Sequence, residues 1–204
     1  MKPRTKYNLI VLIIFHVVGL ILFATDPNAS RLSYVTLLIS GAALIIDEGI
    51  NLRKAAVLFS IFVLGYSVEL IGIKTGFFFG EYSYDTALGS KFLGVPLIIG
   101  LNWVIIVAAS SSIIKYFIKK PLILQALLAA ALCTLLDFII EPIAISYNFW
   151  TWTDGTIPFY NYLCWFGFSF LFSTMYLYRN KEINKTGIII YIIWTNFFII
   201  LNLL

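Results

Sequence analysis

The sequence predicts an all-α polytopic membrane protein, a bundle of seven transmembrane helices with a cytoplasmic N-terminus, and three observations predict it. The chain is 61% hydrophobic and only 12% charged over its 204 residues, where a soluble domain carries about a quarter charged residues. Its apolar residues gather into seven runs, each near the length of about 20 residues that crosses a bilayer. Little chain is left between them, so residues 1–204 read as a single integral membrane domain. Finally, the cations sort by side. Lys2, Arg4, Lys6, Arg53, Lys54, Lys115, Lys119, Lys120, Arg179, Lys181 and Lys185 fall on one side of the alternating runs, and Arg31, Lys74 and Lys91 on the other. Cytoplasmic connections are the Lys/Arg-rich ones, which fixes the orientation and points to a plasma membrane such as the bacterial inner membrane.

The first run, Asn8 to Ala24, follows Lys2, Arg4 and Lys6 as a signal peptide would, but LFATDPNAS turns into a loop rather than a small-residue cleavage site, so it is kept as the first span. The second runs from Tyr34 to Ile50 and the third from Ala55 to Ile73. A long connection rich in glycine and aromatics, KTGFFFGEYSYDTALGSKFLGVP, then leads to the fourth span, Leu93 to Ile114, with turns expected at Gly76, Gly80, Gly89 and Gly94. The fifth, Leu122 to Ile143, ends in LLDFIIEPIAISYNFWTW: two carboxylates, a proline that can free or bend the local backbone, and Trp150 and Trp152 placed as an interfacial aromatic belt. After NFWTWTDGTIP come the sixth span, Phe159 to Leu177, and the seventh, Gly187 to Leu204.

Ionisable residues inside a membrane are costly and mark function. Asp137 and Glu141 are four residues apart, so on a helix they share one face. At about 1.5 Å per residue, Glu69 lies about 21 Å into the third span and Asp137 about 22 Å into the fifth, both towards the non-cytoplasmic side. Asn102 and Trp103 fall about 12–15 Å below the outer end of the fourth span. Asn161, Tyr162 and Trp165 begin the sixth from that side. These residues are expected to face one cavity in the outer half of the bundle. Simpler accounts stand beside this one: Glu69 could pair with Lys74, and Asn102 and Asn161 could bridge helices. Asp47 and Glu48 read as an interfacial ion-pair group with Arg53 and Lys54, and His16 as a buried, hydrogen-bonded side chain. Cys133 and Cys164 read as buried, inert thiols.

Several functions are excluded. A net charge of +4 carried in scattered loops describes topology and not a nucleic-acid partner. One histidine cannot build a multi-histidine iron site, and no metal-ligand spacing, nucleophile motif, phosphate loop or dinucleotide fingerprint is present. The seventh span has no lysine to carry a retinal Schiff base.

Acid chemistry remains. Desolvation favours a neutral carboxyl, so one acid of a pair can hold a proton while its partner stabilises positive charge. Aromatic faces add to that stabilisation. A lipid-soluble alkene of isoprenoid type suits such a site: protonation gives a tertiary cation and water capture a tertiary alcohol.

Two segments, Glu69 to Trp103 and Leu135 to Phe166, carry ordered motifs: Glu69 before Gly80, Tyr82 and Tyr84; Val95-Pro96 before Trp103; then Asp137, Glu141-Pro142, Trp150, Trp152, Asn161 and Trp165. In these the chain resembles the membrane carotenoid biosynthesis family that includes bisanhydrobacterioruberin hydratase and carotenoid 1,2-hydratases. Glu141 stands where many relatives carry Asp, one methylene shorter. The resemblance implies hydration of the terminal (1,2) double bond of an acyclic carotenoid end without a cofactor, with carotenoid, membrane lipid and other carotenoid biosynthesis enzymes as partners. On that reading Asp137 is the acid and Glu69 or Glu141 its ionised partner, Asn102 and Asn161 position water, and Tyr82, Tyr84, Trp103, Trp150, Trp152 and Trp165 contact substrate. Two other readings use the same acids: a proton-coupled transporter or channel, and a non-catalytic carotenoid-binding partner.

Overall fold

A computed structural model describes residues 3–26, 28–49, 51–180 and 182–204. Lys2 and Lys181 of the basic set, and Ile50 at the expected end of the second span, lie outside the described residues. The chain is an all-α polytopic membrane protein, and its described residues form seven α-helices: α1 (Pro3–Thr25), α2 (Ser33–Glu48), α3 (Leu52–Thr75), α4 (Ile98–Phe117), α5 (Leu122–Ser146), α6 (Phe159–Arg179) and α7 (Lys185–Leu203). Six of them, α2 counted together with the 3-10 turn Ala29–Leu32 that leads into it, are long and apolar enough to cross a membrane. α6, at 21 residues, is as long, but its Asn161, Ser169, Ser173, Thr174 and tyrosines lower its hydropathy.

Local chemistry sets the ends. Pro3 opens α1, where its missing N–H costs nothing. The Asn51 side chain accepts from Lys54 N at 3.0 Å to cap α3, and Asn184 accepts from Gly187 N at 2.9 Å to cap α7. Gly76 closes α3 in the left-handed conformation, φ 64°, which a Cβ would penalise. α5 continues through Pro142 for another turn, although the ring removes a backbone donor there.

α4 is the central helix, buried continuously from Trp103 to Ser112 and packed against α2, α3, α5, α6 and α7. α1 sits at the periphery against α2 and α7. Small residues let α3 and α4 approach: a Cβ on Gly65 would stand 2.5 Å from the Trp103 ring.

Two expectations are corrected at the connection before α4. Residues Leu93 to Leu97 do not begin the fourth span; Lys91–Phe92 (β2) and Val95–Pro96 (β3) form a hairpin. Leu93 and Gly94 both have positive φ, 52° and 100°, which suits a two-residue hairpin turn and not a helix. The Tyr66 hydroxyl latches it by donating to the Phe92 carbonyl at 2.6 Å. Asn102 is therefore only four residues into α4, shallower than expected. The tryptophans are also not a belt. Trp150–Trp152 (β4) pairs antiparallel with Tyr82–Tyr84 (β1), in the register Tyr82↔Trp152 and Tyr84↔Trp150. Strand alternation turns Ser83 and Thr151 outward and all four aromatics onto the bundle, so the ladder caps this end of the helices.

Candidate active site

Beneath the cap, the three carboxylates line one small cavity of about 30 Å³ together with Tyr82, Tyr84, Asn102, Trp150, Trp152, Asn161 and Trp165. All three are buried. Each is held differently. Glu69, on α3, accepts at Oε2 from the Tyr82 hydroxyl (2.5 Å) and the Tyr84 hydroxyl (2.8 Å), and at Oε1 from the Trp103 indole (3.1 Å). It makes no pair with Lys74; three donors replace the cation. Glu141, on α5, accepts both Trp150 and Trp152 indole N–H groups at Oε2 (3.0 and 3.1 Å), with the Asn161 amide at 3.4 Å from Oε1. Asp137, one turn earlier, accepts from the same Asn161 amide at Oδ2 (3.1 Å). Among the described residues that is its one donor.

Donor chemistry distinguishes the three. An indole N–H can only donate, so Trp103 holds Glu69 Oε1, and Trp150 with Trp152 hold Glu141 Oε2, as acceptors. Both Glu69 oxygens are thus engaged, while Asp137 Oδ1 remains open to carry a proton. The phenols of Tyr82 and Tyr84 are pushed well above their ordinary range, first by burial and then by the Glu69 charge, so they stay protonated donors. Hydrogen bonds to a charged acceptor contribute about 1.5–3 kcal/mol each, which offsets much of the cost of burying Glu69.

A second, larger cavity of about 310 Å³ lies next to this one and shares part of its wall. It is apolar, walled by α1, α2 and α7 through residues such as Leu22, Phe23, Val35 and Phe197. Asp137, Ile99, Asn102, Trp150 and Trp165 line both cavities, and Asp137 is the one carboxylate that does so among the described residues. Trp165 stacks on Trp103 with centroids 4.2 Å apart and 18° between planes. Trp103, expected against substrate, lines neither cavity; it is fully buried behind Trp165, packed flat on Gly65 with its N–H spent on Glu69.

Sequence reasoning missed the apolar chamber, because aliphatic residues of α1, α2 and α7 look like any lipid-facing stretch. It also missed Phe79, which stands in the wall of the small cavity at φ 66°. His16 is buried as expected, its Nδ1 2.7 Å from the Leu12 carbonyl, and it lines the chamber. Both cysteines are free and buried. The Asp47–Glu48 group differs from expectation. Arg4, and not Arg53, faces Asp47 (3.7 Å), and Lys54 faces Glu48 (3.9 Å). Both acids are buried because Thr5, the Thr186 N–H, Tyr176 and Asn184 also bond them.

The chain is similar to the bisanhydrobacterioruberin hydratase of Haloarcula japonica, 24% identical over 146 residues that cover 63% of this chain and 45% of that protein. It thus spans less than half the length of the curated relative it matches. No solved structure matches it. A family profile described as carotenoid biosynthesis protein matches residues 10–204, nearly the whole sequence, and this multi-pass membrane chain belongs to the carotenoid biosynthesis protein family.

Proposed function

We propose that the chain is a carotenoid hydratase of the bacterial inner membrane, a hydro-lyase that adds water across the terminal 1,2 double bond of an acyclic carotenoid end group. One observation carries this reading: Asp137 is shared between an apolar chamber and a small polar cavity. An apolar end group seated in the chamber reaches the open Asp137 Oδ1. The π pair takes that proton at C2 and leaves a tertiary cation at C1. Glu69, saturated with donors, stays ionised and faces the developing charge, while the rings of Trp150 and Trp165 offer their faces to it. A water held by Asn102 and Asn161 adds to C1. Its surplus proton passes to the lightly bonded Oε1 of Glu141 and returns to Asp137 by way of water in the cavity that both carboxylates line, so that the pair returns to its starting state. Bonds and protons balance, alkene plus water giving tertiary alcohol, with no change of oxidation state to assign to a redox group.

The test is pigment analysis in cells that make an acyclic or monocyclic carotene. Wild-type chain is expected to convert it to a product heavier by one water, and Asp137→Asn to abolish that product while the protein remains in the membrane. Unchanged yield in Asp137→Asn overturns the acid assignment. Carotene that co-purifies unmodified with wild-type chain overturns the enzyme reading in favour of a carrier.

A further inference from the structure

The active-site acids lie at the capped end of the bundle, and the Asp47–Glu48 network lies at the other. Between them runs a buried polar file, of which the proposed chemistry uses Asn161 alone, at its upper end. On α6 and at its C-cap Asn180, the residues Asn161, Ser169, Ser173, Tyr176 and Asn180 recur at spacings of three, four or eight residues, one helical face, and each is 2% exposed or less. The file begins at Asn161, which bonds Asp137. It ends at Tyr176, whose hydroxyl donates to Glu48 Oε2 at 2.9 Å. On α5, Cys133 lies one turn before Asp137, and the hydroxyls of Ser110 and Ser169 stand beside its thiol. Ser112 and Asn180 stand beside the Tyr176 hydroxyl in the same way.

These side chains do not close on one another. The hydroxyls of Ser110, Ser111, Ser112, Ser169 and Ser173, and both amide atoms of Asn180, are buried with no hydrogen-bond partner at normal geometry among the described residues. Leaving such a group unsatisfied costs about 1–3 kcal/mol each, and this many in one file are not an accident of packing. Buried polar groups without protein partners are the sites where internal water binds. Gly187 keeps room beside the file, since a Cβ there would meet Ser112 Oγ at 3.2 Å.

We infer that this file is a water-bridged proton path joining the Glu48–Tyr176 network to Asp137 through Ser112, Ser173, Ser169, Ser110 and Cys133. Hydroxyl, thiol and water each donate and accept, so a proton can hop along them without a charged group resting in the core. The path supplies what a buried acid lacks beneath an aromatic cap and beside an apolar chamber, an exchange route to solvent. As the route by which Asp137 takes up its first proton from solvent it rests on the Asp137 assignment, but its existence is testable without turnover.

The test uses full-length protein in lipid nanodiscs, in a Cys164→Ser background so that Cys133 carries the one thiol. Transfer to D₂O, with the S–H band followed by infrared spectroscopy, is expected to show exchange of the Cys133 proton within minutes. Ser169→Ala with Ser173→Ala is expected to slow it by about tenfold or more, as befits loss of bridging groups from a buried route. Tyr176→Phe, which removes the far end while keeping the ring, should slow it as well and serves if the double variant fails to fold. A thiol that stays protiated for days in the parent, or exchange unchanged in folded variants, overturns the path. If the thiol exchanges and the variants slow it while no carotene is hydrated, the path stands and the hydratase reading falls. If carotene is hydrated and the thiol does not exchange, the path falls alone.

Discussion

At the scale of single residues, the three carboxylates differ in the donors each receives, and on the proposed mechanism that difference divides the work among them. Tyr84→Phe removes one of three hydrogen bonds to Glu69 without changing the ring. Loss of a preorganised donor at a charged centre costs about 10²–10³ in rate when the charge develops in the transition state. On the proposed mechanism Glu69 carries its charge before the reaction begins, so a smaller fall of about tenfold is expected, measured as initial rate of alcohol formation in membranes. A rate unchanged within error would show that Tyr84 only packs. The phenols also set an alkaline limit. Their folded-state ionisation is raised above the ordinary value of 10.0, so the stability they contribute is complete below that pH. It is then lost as pH rises through the folded-state value. Thermal unfolding in detergent should therefore show a midpoint that falls above pH about 10. In the Tyr82→Phe, Tyr84→Phe double variant the midpoint is expected to start lower and to fall less steeply with pH.

At the scale of elements, the short β1–β4 ladder matters more than its three-residue strands suggest, since it delivers two donors to Glu69 and two to Glu141. The Thr153 N–H bonds the Glu81 carbonyl and the Asp85 N–H the Phe149 carbonyl, both at 3.0 Å, which makes Ser83 and Thr151 the hydrogen-bonded pair between them. Thr151→Pro removes a donor from that pair. Far-UV circular dichroism is expected to keep its helical signal while the near-UV tryptophan signal and the hydration product are lost together; product formed at the wild-type rate would show that the cap is dispensable. This element also marks the limit of what the sequence discloses. The helices were legible because each is a local run of apolar residues, and the depths of Glu69 and Asp137 followed from helix rise alone. YSY and WTW carry the period-2 alternation of strands, but about 70 residues separate them, and nothing local says that two such triplets pair. The hairpin before α4 was hidden for the opposite reason. FLGVP is apolar enough to pass for a span, and only the turn conformation of Leu93 and Gly94 separates it from one.

At the scale of the whole molecule, the question is how a long polyene reaches an acid in the bundle core. The chamber of about 310 Å³ is at the small end of ligand pockets, which span about 300–1,000 Å³, so on the proposed function it has room for an end group and not for the rest of the polyene. Phe15, Val18 and Leu32 line the chamber and are also 42%, 47% and 51% exposed, so the wall where α1 meets the turn into α2 is made of side chains that also reach the outer surface. We propose that a substrate dissolved in lipid tails enters through this wall without crossing water. Val18→Trp narrows that entry without touching Asp137, Glu69 or Glu141. The expected result is a severalfold rise in KM for a long acyclic carotene, with kcat close to wild type at saturating substrate. A shorter isoprenoid with the same end group should lose less, because it can tilt through a narrowed slot. The assay follows both substrates in nanodiscs at varied mole fraction in the lipid. If kcat falls and KM is unchanged, the entry lies elsewhere and Val18 supports the chamber wall instead.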